Sequence, residues 1–132
     1  MQMQKLTVII NSPVHKVFEY TLDPKNTPKW IDSIVKEEVS EQPVKLDTIY
    51  RNTNLYGITK EYEVVDLKKN DYFQLENKKD KYQVRYQYKP LSKDKTELTY
   101  IEWNYEYEGN IENPFTQEIL DKLKYCIERK TF

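Results

Sequence analysis

The sequence predicts an α+β fold, a seven-stranded curved antiparallel sheet wrapped around a long C-terminal helix, with two short helices after the first strand. Three observations lead there. A helical apolar stripe follows directly on the first β-type run. Six further β-type runs are then separated only by short, turn-like breaks. The chain closes on one amphipathic stretch long enough to cover a sheet face. A length of 132 residues suits a single domain over 1–132.

In chain order, Lys5 to Ile10 is rich in β-branched types and reads as the first strand. Ser12-Pro13 predicts a helix start with serine as N-cap and proline at the first helical position. Val14, Val17, Phe18 and Leu22 follow on one face, and Asp23-Pro24 ends the helix. Asn26 to Ile31 makes a further short turn anchored by Trp30. Strands are expected at Ile34–Val39, Thr48–Tyr56, Ile58–Leu67, Tyr72–Asn77, Tyr82–Lys89 and Glu97–Tyr107, joined as a meander. Gly109 and Asn110 close the last strand, and Asn113-Pro114 repeats the cap-then-proline start. Thr116, Ile119, Leu120, Leu123, Cys126 and Ile127 then mark a helix of about 17 residues, roughly 25 Å long.

Composition narrows the function classes. There are 21 Lys and Arg against 22 Asp and Glu, a formal net charge of −1, which gives no basis for nucleic-acid binding. Alanine is absent, glycine occurs only at Gly57 and Gly109, and tyrosine occurs 12 times. That bias fits a low-GC, bacterial genome, so the placement of the tyrosines carries more information than their number. A single cysteine, Cys126, forms no internal disulfide and suits a reducing, cytoplasmic setting. The N-terminus runs into a strand without a signal-peptide pattern, and no apolar stretch reaches the roughly 20 residues of a membrane span. His15 is the sole histidine, so neither a zinc site nor a Ser-His-Asp triad is expected. Two glycines cannot build a phosphate-binding fingerprint, and no cofactor is expected.

The run Ile10-x-Ser12-Pro13, then Val17-Phe18, Tyr20, Asp23-Pro24, Pro28 and Trp30 resembles the helix-grip superfamily, SRPBCC. This superfamily includes START domains, the birch-pollen allergen and bacterial polyketide cyclase/dehydrase-like proteins. Weaker matches are Tyr62-x-Val64, Thr96-x-Leu98-x-Tyr100 and the last helix. The resemblance implies a cavity between sheet and helix, used by relatives for lipids, hormones, polyketides or quinones. It does not fix an activity, because the fold hosts carriers, enzymes and chaperone-activating domains.

Strand parity gives the lining expected for that cavity. Tyr82, Val84, Tyr86 and Tyr88 share a face opposite Gln83, Arg85 and Gln87; Phe73 and Leu75 point the same way, as does the set Ile58, Lys60, Tyr62 and Val64. In the last strand, Leu98 and Tyr100 conflict in parity with Ile101, Trp103, Tyr105 and Tyr107. Either a bulge near Ile101-Glu102 shifts the phase or aromatics lie on both faces, and the bulge is favoured because it would also bend the sheet around the helix. Tyr50 and Ile49 compete for the inside of the third strand. The candidate ligand-binding set is therefore Tyr62, Phe73, Tyr86, Tyr88, Tyr100 and Trp103, capped by Leu120, Leu123 and Ile127. Lys60, and Glu102 if there is no bulge, are possible polar anchors.

Such a lining suits a small apolar or aromatic molecule with a few oxygens. A cyclase/dehydratase-type enzyme and a ligand-free interaction domain resembling chaperone activators are the alternatives. No catalytic residue is singled out, and the chain is expected as a monomer or homodimer.

Overall fold

A computed structural model describes residues 2–106, 111 and 114–129. Strand β1 (Gln2–Ile10) leads into helix α1 (Val14–Leu22) and the single turn α2 (Thr27–Trp30). Six strands follow: β2 (Ile34–Val39), β3 (Ile49–Asn54), β4 (Thr59–Lys68), β5 (Tyr72–Asn77), β6 (Tyr82–Ser92) and β7 (Lys95–Asn104). The last element is α3 (Gln117–Arg129). The strands form one antiparallel sheet in the order β1-β7-β6-β5-β4-β3-β2, a meander closed by pairing of β1 onto β7.

Three bulges curl the sheet. Val35 is the extra residue in β2, Val65 in β4 and Leu91 in β6, each where the pairing register slips by one. A bulge adds local twist and bends its strand. The curl brings the two edges toward each other, and α2 touches both β2 and α3. Helix α3 lies along β1 and covers that edge. Gln117 Nε2 donates to the Thr7 carbonyl and Lys124 Nζ to the Ile9 carbonyl, which satisfies backbone acceptors that a bare edge would leave open.

Several expectations need correction. No bulge lies at Ile101-Glu102: β7 pairs without a break from Asn104 to Thr96 along β1 and along β6. Alternation then puts Thr96, Leu98, Tyr100, Glu102 and Asn104 inside, and Trp103 on the convex face between Met3 and Gln83. Trp103 is therefore not part of the concave lining. The outer face accepts it because an indole with a half-covered apolar body is stable there.

Ser12 does not cap α1. Pro13 occupies the cap position without a side-chain bond, and the buried Ser12 hydroxyl has no partner among the described residues. Among the described residues helix α3 spans 13 residues and begins at Gln117, because Pro114 to Thr116 remain outside it. Thr116 caps it, with the Ile119 N–H directed to Thr116 Oγ1 at 3.4 Å. Strand β6 continues through Pro90, which pairs with Thr96 beyond Tyr72, the first residue of β5, so its missing N–H costs no bond to that neighbour. The expected strand end at Tyr107, the turn at Gly109-Asn110 and the cap at Asn113 lie outside the described residues.

The extended backbone of Asp23 before Pro24 ends α1 as expected. Trp30 is 2% exposed and anchors α2.

Candidate functional site

The pairing registers line up the inward side chains in rows across the sheet. Toward one end, Val8, Leu98 and Tyr88 form a row, followed by Ile10, Thr96 and Pro90. In the middle runs Leu6–Tyr100–Tyr86–Phe73. Toward the other end come Gln4–Glu102–Val84–Leu75 and then Asn104–Tyr82–Asn77. On the far strands Tyr50 faces Tyr62, and Glu37, Asn52 and Lys60 form the outermost row. The concave face therefore grades from aliphatic to polar.

The aliphatic end is closed. Val17 and Phe18 of α1 and Leu120, Leu123 and Ile127 of α3 are buried in the same cluster as Val8, Ile10 and Leu98. Phe18 meets Tyr88 edge to face at 5.2 Å. The Tyr88 hydroxyl lies 2.6 Å from Thr21 Oγ1, which itself bonds the carbonyls of Val17 and Phe18. Tyr88 thus has a fixed partner inside the core.

The polar end is organised by Glu102, which is 1% exposed. Its carboxylate accepts from Gln4 Nε2 at 2.6 Å, Tyr82 OH at 2.6 Å and the Phe115 N–H at 2.8 Å. Because the Tyr82 proton points to Glu102, the Tyr100 hydroxyl at 3.2 Å donates to Tyr82. A buried carboxylate is tolerable only with such a donor set. Gln4 Nε2 also bonds the Phe115 carbonyl at 2.8 Å, so both backbone groups of Phe115 are held.

That grip lays the Phe115 ring on Tyr100, stacked at 4.0 Å and 11°. Phe115 also meets Trp30 at 5.9 Å; Tyr86 meets Trp30 at 6.5 Å, Tyr100 at 5.3 Å and Phe73 at 5.8 Å. The middle row is thus filled by rings from the sheet, α2 and the segment before α3. One polar atom in this group is left over: the buried Trp30 Nε1 has no acceptor among the described residues. An unpaired indole N–H in a core is costly, and a ligand or water oxygen would relieve it.

Glu37 sits at the edge of the polar end, half-buried between β3 and α2. Thr27 Oγ1 donates to it at 2.6 Å. Burial pushes its carboxyl up to about 7, against the opposing hydrogen bonds from Thr27 and Asn52. It can therefore take or give a proton near neutral pH. Burial also raises the phenols of Tyr50, Tyr62, Tyr82, Tyr86, Tyr88 and Tyr100, which keeps each a neutral donor. The Glu37 charge adds to that rise at Tyr50, Tyr62 and Tyr86.

Of the residues expected to line the site, Phe73, Tyr86 and Tyr100 are brought together in the ring cluster, and Tyr62 stands beside Tyr82 at 6.4 Å. Tyr88, Leu120, Leu123 and Ile127 belong to the buried core cluster, Tyr88 at its aliphatic end. Lys60 has the inward parity but lies near the strand end, exposed, with Nζ 2.8 Å from Asp80 Oδ2. Tyr50, not Ile49, points in, and its hydroxyl donates to the Leu22 carbonyl.

Glu37 and Phe115 were not singled out by sequence. Glu37 shares parity with Val39, which was a usable signal. Phe115 directly follows the Asn113-Pro114 signal, where a ring reads as ordinary packing.

The model of the family described as polyketide cyclase / dehydrase and lipid transport matches residues 1–124, and the chain belongs to that family. No protein with curated function matches it by sequence. Among solved structures it is similar to the protein XoxI from Bacillus cereus, at 12% identity and a TM-score of 0.78, over 100% of this chain and 99% of the other. It is also similar to a norcoclaurine synthase point mutant from Thalictrum flavum, solved with a transition-state analogue, at 12% identity and a TM-score of 0.71, over 99% and 96%. A third is Ara h 8.0201, at 11% identity and a TM-score of 0.68, over 97% and 98%. At these identities the likeness establishes the helix-grip fold alone. Among the described residues, no helix is long and apolar enough to cross a membrane.

Proposed function

Taking that membership as the premise, we propose that the chain binds a small apolar or aromatic molecule at the polar end of its concave face. The ligand replaces the Phe115 ring against Tyr100. The observation that carries this is the Phe115–Trp30–Tyr100 contact. A half-exposed ring from outside the regular elements is stacked at 4.0 Å on a tyrosine. It lies beside an indole N–H that lacks an acceptor. A flat ligand with one acceptor oxygen keeps the stacking and satisfies Trp30, so it gains over the intramolecular ring. Gln4 and Glu102 hold Phe115 only through its backbone, so the ring can swing aside while those bonds stay in place.

Native mass spectrometry of the purified protein, then a thermal-shift screen of lipids, flavonoids, quinones and polyketides, tests this. A co-purifying mass, or a melting temperature that rises with one class, supports it. No bound mass, with no shift in either the wild type or Phe115→Ala, sinks it.

Glu37 favours a second reading, an enzyme of cyclase/dehydratase type. Its carboxyl, raised to about 7, is the group suited to proton transfer, whereas Lys60 is tied to Asp80 outside. On that reading Glu37→Gln abolishes turnover of a bound polyketide-like substrate and leaves its Kd unchanged. We place the protein in the cytoplasm, as a monomer or homodimer that does not act on nucleic acid.

A further inference from the structure

We propose that the end of the sheet formed by the β3–β4 and β5–β6 turns docks on an anionic phospholipid bilayer. Leu55, Tyr56 and Ile58 enter the headgroup boundary, and Lys78, Lys79 and Lys81 lie over the phosphates. The surface is distinct from the interior site, and its test needs no cargo.

The β3–β4 turn carries the three most outward-facing large apolar side chains of its region: Tyr56 is 88% exposed, Leu55 65% and Ile58 54%. A turn at a strand end is ordinarily polar, so three large apolar residues flanking one glycine run against the common pattern. The turn is also held in shape. Asn54 Oδ1 accepts from the N–H groups of Tyr56 at 2.9 Å and Ile58 at 3.0 Å. The Gly57 N–H bonds the Asn54 carbonyl at 3.0 Å, and the Leu55 N–H bonds Ser33 at 3.1 Å. Gly57 takes φ +78°, a conformation a side chain would strain. The apolar side chains are therefore displayed on a rigid loop and lose little freedom on insertion.

The next hairpin turn on the same end is basic, Lys78-Lys79-Asp80-Lys81. Lys60 at the base of the apolar turn reaches Asp80 at 2.8 Å and ties the two hairpins together. Two strand spacings, roughly 10 Å, separate the turns. The acids nearby are Asp80, Glu63 at 3.3 Å from Lys78 and Glu106 at 3.9 Å from Lys81. Exposed pairs of this kind are weak, so the lysines can turn to phosphates, and Lys79 pairs with no acid among the described residues.

A narrow apolar turn buries too little area for a standard protein interface. It matches the depth of roughly 5–10 Å at which interfacial segments sit, with tyrosine at the headgroup level and lysines above it.

Co-sedimentation with vesicles of phosphatidylcholine, with and without phosphatidylserine, is the test. The wild type should partition onto the phosphatidylserine vesicles and be released by salt. Combining Leu55→Ser, Tyr56→Ser and Ile58→Ser should lower partition at least about tenfold, since each burial is lost. Lys78→Glu with Lys79→Glu should weaken it and flatten the salt dependence. All these positions are exposed, so melting temperatures should match the wild type. Three results would overturn the proposal. These are no wild-type partition onto phosphatidylserine vesicles, unchanged partition of the triple serine variant, or a dimer in sedimentation velocity that the serine variant converts to monomer.

Discussion

The two ends of the concave face are built from the same alternating strands and the same abundance of tyrosine, yet they do different things. At the aliphatic end Tyr88 is sealed: its hydroxyl meets Thr21, and Phe18, Leu98 and Val8 surround it. The Tyr88 hydroxyl is thereby committed to the core. At the polar end the tyrosines are linked in series, Tyr100 to Tyr82 to Glu102, and the neighbouring Trp30 donor lacks an acceptor. The ring that fills that end, Phe115, comes from the segment before α3 and not from a strand or helix. A buried tyrosine is core when its hydroxyl is paid for locally, and a site when its neighbourhood still has unpaired groups and a replaceable cover.

The difference can be tested by mutation, and the largest effect belongs to the sealed end. Leu98→Ala removes a fully buried side chain and should cost about 3 kcal/mol, read as a lower urea midpoint with unchanged m. Phe115→Ala, half-buried at the other end, should cost about 1 kcal/mol and leave the fold intact. Equal losses would mean that both ends are the same kind of core.

Glu37 sharpens the comparison through pH. Its folded value of about 7 lies above the free value of 4.5. Between these the folded chain keeps a proton that the unfolded chain has released, so stability falls as pH rises through that window. The fall should not exceed about 3 kcal/mol, and partial solvent access makes it smaller. Glu37→Gln should abolish this slope and be the more stable protein above neutrality. Urea midpoints at about pH 5 and about pH 8 measure it; a wild type with no slope across the window contradicts the burial of Glu37.

A smaller effect is expected at Tyr88→Phe, which removes one buried hydrogen bond and should cost about 1 kcal/mol with no change in ligand response. The smallest is Lys60→Met. Its exposed pair with Asp80 should contribute no more than about 0.5 kcal/mol, and thermal melting should barely move.

The fold was legible because its signals are local and periodic. The Val17-Phe18 stripe and Asp23-Pro24 each act within a few residues, and β2 and β5 end where turn chemistry places them. The site was less legible because it depends on phase and on partners far away in sequence. Ile101, Trp103 and Tyr105 compete with Leu98 and Tyr100 for the inside, and a bulge that also bends the sheet around the helix reads as the way to reconcile them, whereas the aromatics lie on both faces. The decisive term was Glu102, whose donors Gln4, Tyr82 and Phe115 come from three separate segments. Phe115 escaped for a related reason: Pro114 at the right spacing from the apolar stripe reads as a helix start, while tertiary bonds to Gln4 and Glu102 hold Phe115 outside the helix.

The most direct test of the account is the binding of one flat aromatic probe, 1-anilinonaphthalene-8-sulfonate, to the wild type, Phe115→Ala and Leu98→Ala, all under folding conditions. Removing the ring on Tyr100 should tighten binding by about tenfold or more, while truncating Leu98 should leave it near the wild-type value. If Leu98→Ala gains as much as Phe115→Ala, or if neither gains, the polar end is ordinary core and no ligand place lies beneath Phe115.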